Sequence, residues 1–141
     1  MLFGELLDNN SAMQMLCTAA DYGIRAWDTA EMYPVPQRQC TQGQSEELLG
    51  AWLAQQPRDR HFVTTKVAGP GSMDWLRGGP IRLDGANIRS AIEGSLRRLR
   101  TDYVDCLLLH WPDRCRNRQF IDSGTEMRIM CRRLGPTHQP A

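Results

Sequence analysis

Three short apolar runs recur along the chain, the second rich in β-branched residues, and a segment with helical periodicity precedes each of them. That alternation constrains the fold more than any single motif does. The first run, Ile24 to Asp28, follows a helix predicted over about Ser11 to Tyr22. There, Ser11 and Gln14 have capping-box spacing, Met13, Leu16, Cys17 and Ala20 share a face, and Gly23 suits the left-handed position after a helix. The second run, Phe62 to Val67, follows a helix that opens at Ser45-Glu46-Glu47, buries Leu48, Leu49, Trp52 and Leu53, and stops by Pro57. The third, Tyr103 to Leu109, follows a helix capped by Asp84 with Ile88, Ala91, Ile92, Leu96 and Leu99 on one face. Crossovers of this length make the strands parallel and the connections right-handed. The expected class is α/β.

Composition narrows the function classes. With 141 residues the chain has one domain's length, and its 41% apolar and 23% charged residues suit a globular fold. A net charge of +1, with no basic stripe interleaved with aromatics, argues against nucleic acid as a partner. No apolar run approaches the roughly 20 residues of a membrane span, and the N-terminus lacks the basic start and apolar core of a signal peptide. Five scattered cysteines without C-x-x-C spacing read as reduced thiols, so a cytoplasmic location is expected.

The chemistry gathers where the runs end. They finish in Asp28, Lys66 and His110, and Tyr33 follows Asp28 in a loop stiffened by Pro34 and Pro36. Parallel strands place their C-terminal ends on one sheet edge, so the four side chains converge. Singly, each has a plainer reading: a helix cap for Asp28, a core residue for His110, an aromatic lid for Tyr33, a snorkelling charge for Lys66. Together they favour a site. Of 17 basic residues, Lys66 is the one lysine, at a position suited to a compact charge on a flexible stem. A tyrosine hydroxyl is a poor acid at neutral pH unless a nearby ammonium stabilises its phenolate, and a carboxylate keeps that ammonium charged. A histidine can hydrogen-bond the oxygen that receives the proton. Such a set suits carbonyl reduction, with the hydride supplied by a nicotinamide cofactor. Gly69-Pro70-Gly71 lacks the third glycine of a dinucleotide fingerprint and is expected to be a loop within the long Gly69–Gly79 connection.

Asp28-Thr29-Ala30-Glu31-Met32-Tyr33, Lys66 after its β-branched strand, and Leu107-Leu108-Leu109-His110-Trp111-Pro112 resemble the aldo-keto reductases. The string from Asp28 to Pro36 is similar to their Tas-like branch. Asn87-Ile88-Arg89, Ser95-Leu96-Arg97-Arg98-Leu99 and Thr101-Asp102-Tyr103-Val104-Asp105 are similar to the family's third helix and fourth strand. The resemblance runs from about Phe3 to Arg114. It implies a (β/α)8 TIM barrel, NADPH as cofactor, Tyr33 as proton donor with Asp28, Lys66 and His110, cofactor contacts from Asp28 and Tyr33, and substrate contacts from His110 and Trp111. No metal is implied, and the partner is a small-molecule carbonyl compound.

A (β/α)8 barrel takes about 250 residues. The expectation is therefore a partial barrel over residues 1–114 that begins after the family's first strand and stops after its fourth. Residues 115–141 match no part of that pattern and are expected to form a divergent, disordered tail. An open barrel exposes strand edges through which chains can self-associate. The alternative expectation for function is a truncated, catalytically inactive product that lacks the cofactor-binding half.

Overall fold

A computed structural model of the chain describes residues 1–113; the expected tail lies outside the described residues. Three strands, β1 (Ala26–Asp28), β2 (Phe62–Val67) and β3 (Cys106–Leu109), form a parallel sheet in the order β1-β2-β3. Helices α1 (Asn9–Asp21), α2 (Gln44–Leu53) and α3 (Gly85–Leu99) precede them. The result is a partial α/β barrel in which β2 is the central strand.

The helices end where their sequence directs, with one correction. The N-cap of α1 is Asp8, not Ser11: its carboxylate accepts from the Asn10 and Ser11 amides and from the Ser11 hydroxyl. An ionised acceptor at the helix start outcompetes a hydroxyl three residues later, which becomes its donor instead. Gly23, at φ +86°, closes the other end. Its amide bonds to Ala20 O and the Ile24 amide to Ala19 O, the pair of bonds of a Schellman motif. Asp84 caps α3 through the Asn87 amide, as expected.

Two strands are shorter than their apolar runs. Ile24 serves the Schellman motif, so β1 begins only at Ala26. Before β3, the Val63 amide donates to the Asp105 carboxylate at 2.8 Å, so a side chain closes the ladder there and the strand starts at Cys106.

Alternation along β2 separates two faces. Val63 and Val67 are buried, Val63 against Leu16, Leu49, Trp52, Leu53, Leu99 and Val104 in the core between sheet and helices. Thr65, also on that face, donates to the buried Glu46 carboxylate of α2, which Arg98 of α3 grips at 2.7 Å. Phe62, Thr64 and Lys66 point to the opposite face. Register carries that face across the sheet: Thr64 lies beside Asp28 and Cys106, and Lys66 beside Leu108. Two residues beyond Leu108, His110 follows the same side.

Candidate active site

The pleat delivers Asp28, Lys66 and His110 to one face at one end of the sheet. Lys66 Nζ donates to the Asp28 carboxylate at 2.5 Å and to the Thr29 carbonyl at 2.8 Å. The lysine side chain is only 11% exposed, whereas Asp28 is 59% exposed at the rim. The ammonium is thus anchored from beneath and faces solvent through its counter-ion.

Tyr33 is buried, and its ring lies 5.1 Å from Lys66 Nζ. The loop that carries it is tied down at both sides of the phenol: the Tyr33 amide donates to Ala30 O, and Tyr33 O accepts from the Gly43 amide. His110 meets the tyrosine edge-to-face, with ring centroids 5.6 Å apart. Burial, chiefly, and then the Lys66 charge pull the His110 pKa down to about 4, against an opposing pull from Asp28. At neutral pH the imidazole is therefore uncharged, with one N–H to donate. Its Nδ1 is buried with no hydrogen-bond partner among the described residues.

All four residues singled out in the sequence are brought together. Trp111 stands beside them, its indole centroid 5.0 Å from that of His110 and its Nε1–H on Pro70 O at 3.0 Å. The indole lies so close over Gly69 that a Cβ there would sit 2.7 Å from Nε1. The Gly69-Pro70-Gly71 stretch is accordingly a seat for Trp111 and not a phosphate loop. Ala30, Met32, Ala68, Met73, Leu76 and Ile81 make an apolar cluster around Tyr33.

Two residues with no role assigned from sequence, Glu31 and Arg77, link the loops next to this site. Glu31, between Asp28 and Tyr33, is buried and accepts from the Ala68 amide at 2.7 Å and from the Arg77 guanidinium. A charged residue inside the run Thr29-Ala30-Glu31-Met32 was the available signal, but its partner lies 46 positions away in the loop after β2.

A parallel sheet backed by helices, with its ionisable side chains at the C-terminal strand ends, defines an α/β-barrel architecture with a site in the customary place. Comparison makes the assignment specific: the model of the aldo/keto reductase family matches residues 1–124, and the chain belongs to that family of oxidoreductases. The Tas protein of Escherichia coli K12 is 43% identical over 119 residues, which are 83% of this chain and 34% of that protein. Methylglyoxal reductase DkgB of Salmonella typhi is 33% identical over 97 residues, covering 67% of this chain and 28% of the enzyme. A putative aldo-keto reductase from Pseudomonas aeruginosa superposes with a TM-score of 0.59 at 29% identity, over 78% of this chain and 38% of that one. The chain thus spans about a third of the length of the curated relatives it matches. Among the described residues, no helix is long and apolar enough to cross a membrane, and no cluster of metal-ligating side chains occurs.

Proposed function

We propose that this chain carries the proton-donating part of an NADPH-dependent reductase that converts aldehydes and ketones to alcohols. The observation that carries the reading is the placement of Lys66: held by Asp28 at 2.5 Å and facing the Tyr33 ring, with neutral His110 edge-on to the same ring. In this reading Tyr33 gives its hydroxyl proton to the carbonyl oxygen as negative charge develops there. Lys66 stabilises the phenolate left behind, and Asp28 keeps Lys66 charged. His110 donates its one N–H to the same oxygen and fixes the substrate, with Trp111 as an apolar wall.

The cofactor supplies a hydride to the carbonyl carbon. The exposed Asp28 carboxylate at the rim offers an acceptor, and two buried polar atoms at the strand ends, Thr29 Oγ1 and His110 Nδ1, have no partner among the described residues. Such a polar rim over an apolar cluster suits the nicotinamide end of NADPH, with Asp28 and Tyr33 as the residues that would hold it. The scattered cysteines accord with a reducing, cytoplasmic setting.

The test is NADPH oxidation with 4-nitrobenzaldehyde, the full chain against Tyr33→Phe. Turnover in the wild type with a loss of roughly 10² or more in the variant is expected, the scale of general acid catalysis. Equal, background-level rates in both overturn it.

A second reading is a catalytically inactive chain that keeps the acid residues. It is favoured by the size of the sheet: β1 and β3 each pair only with β2 among the described residues, and Ile24, Phe62 and Leu109 are exposed. This reading predicts ANS binding, self-association through the open edges, and no saturable quenching on titration with NADPH.

A further inference from the structure

Glu31 and Arg77 form a buried ion pair, with side chains 2% and 7% exposed. A pair so far from water stabilises weakly at best, because desolvation of both charges offsets their attraction. Its surroundings suggest a more specific task.

The pair prolongs the pairing of β1 with β2 past the point where the strands end. The Thr29 amide donates to Thr64 O, and the Glu31 amide to Lys66 O. At the next step the Glu31 carboxylate takes the place of a backbone carbonyl and accepts from the Ala68 amide at 2.7 Å. Arg77 then donates to the Ala68 carbonyl at 3.2 Å and to Asn87 Oδ1, at the start of α3, at 3.3 Å. Both polar backbone groups of Ala68 are therefore held by this one pair. The Glu31 carbonyl in turn accepts from Gln42 Nε2 at 2.7 Å. Arg77 itself sits at φ +55°, a left-handed conformation uncommon for a side-chain-bearing residue.

Ala68 is two residues past Lys66, and Glu31 is two residues before Tyr33. We infer that Glu31 and Arg77 are positioning residues that brace the loop bearing Tyr33 against the loop that follows Lys66, and so set the 5.1 Å approach of the ammonium to the phenol ring. This rests on the reductase reading of the site, but the bracing itself can be measured without turnover. A structural staple alone would lower stability and leave the approach of Lys66 to Tyr33 unchanged. A brace acts on that distance.

The variants are Glu31→Gln, Arg77→Met and the double variant E31Q/R77M, all in the full chain. Each single change leaves one charge buried and unpaired and is expected to lower Tm. The double change removes both charges, and the glutamine oxygen still accepts from Ala68, so Tm recovers toward wild type. Two readouts then separate brace from staple. Lys66 is the only lysine, so selective lysine labelling gives one side-chain signal, whose ring-current shift comes from Tyr33 and is identified by its loss in Tyr33→Leu. In the folded double variant this signal is expected to move toward its Tyr33→Leu position, and kcat to fall roughly tenfold or more, with KM changed much less. For scale, a misplacement of about 1 Å costs ~10²-fold. A folded double variant with the wild-type Lys66 signal overturns the inference. So does wild-type kcat in a chain that shows Tyr33-dependent turnover. If the wild type shows no such turnover, the reductase reading fails by itself, and the Lys66 signal alone decides the bracing.

Discussion

The two ends of β2 are built alike and finished differently. At each end a carboxylate paired with an arginine takes the backbone amide where regular pairing stops. Asp105, held by Arg58, accepts from Val63; Glu31, held by Arg77, accepts from Ala68. At the N-terminal end almost everything is then used up. Arg58 donates to Thr101 Oγ1, to the carbonyls of His61 and Tyr103, and to Asp105, and its guanidinium lies 4.0 Å from the Tyr103 ring centroid. At the C-terminal end the brace holds Ala68, two residues past Lys66, while Lys66 and His110 keep an exposed counter-ion and an unpartnered buried nitrogen among the described residues. In the reductase reading, the same device closes one end of the sheet and leaves the other open to a reactant.

Substitutions at the two cations should therefore fail in opposite ways. Arg58→Met removes the charged donor shared by Thr101, His61, Tyr103 and Asp105. Asp105 keeps the Val63 amide and the Tyr103 carbonyl keeps Thr101 Oγ1, so a loss of roughly 1–3 kcal/mol is expected in urea unfolding. The turnover of the molecules that stay folded is expected to match wild type. A loss below about 1 kcal/mol would show that the N-terminal end is not the closed, stabilising one.

Lys66→Met is the counterpart. Its partner Asp28 is largely exposed, so the ion pair contributes about 0–1 kcal/mol and the unfolding midpoint should barely move. Reductase turnover is expected to fall by roughly 10² or more as the phenolate loses its cation. A large fall in stability with activity retained would reverse the assignment of the two ends.

The sequence made the C-terminal end far more legible than the N-terminal one. Asp28, Lys66 and His110 each stand at the end of a short apolar run that follows a helical segment, and parallel topology alone brings them together. The strand Phe62–Val67 and the Asp84 cap of α3 were legible for the same local reason. What stayed hidden depends on long-range partners. Nothing near Arg58 announces that it will bond to residues 43 to 47 positions on, and Glu31 gives no hint of Arg77. The Asp8 cap is masked in the sequence by the capping-box spacing that Ser11 and Gln14 satisfy by coincidence. The family model matches residues 1–124, and the expected tail lies outside the described residues.

Each end also holds a histidine kept neutral by its surroundings, and this gives the comparison its gentlest test. His61, just before β2, accepts from Trp27 Nε1–H through Nδ1 at 3.0 Å, and burial lowers its pKa first, with Arg25 and Arg58 adding to the effect. His110, just after β3, is lowered to about 4. A histidine of the unfolded chain titrates near 6.5, so below that pH the unfolded state binds more protons than the folded one. Stability contributed by these neutral rings is therefore complete above about pH 6.5 and is lost as pH falls, for His110 down to about pH 4. The urea midpoint is expected to hold level from pH 8 to 7 and to decline from pH 6.5 to 5, before carboxylates begin to protonate. Following the His61 and His110 imidazole C–H signals by NMR over the same range, told apart from that of His138 by substitution, assigns the decline to one end or the other. His110 should stay neutral throughout, since burial first and then the Lys66 charge hold its pKa at about 4, while protonating His61 at Nδ1 requires breaking the indole bond. A midpoint flat from pH 7 to 5, or a His110 signal that titrates near 6.5, would mean that the C-terminal end is wetter than its burial implies, and the proton-donor geometry proposed for it would have to be abandoned.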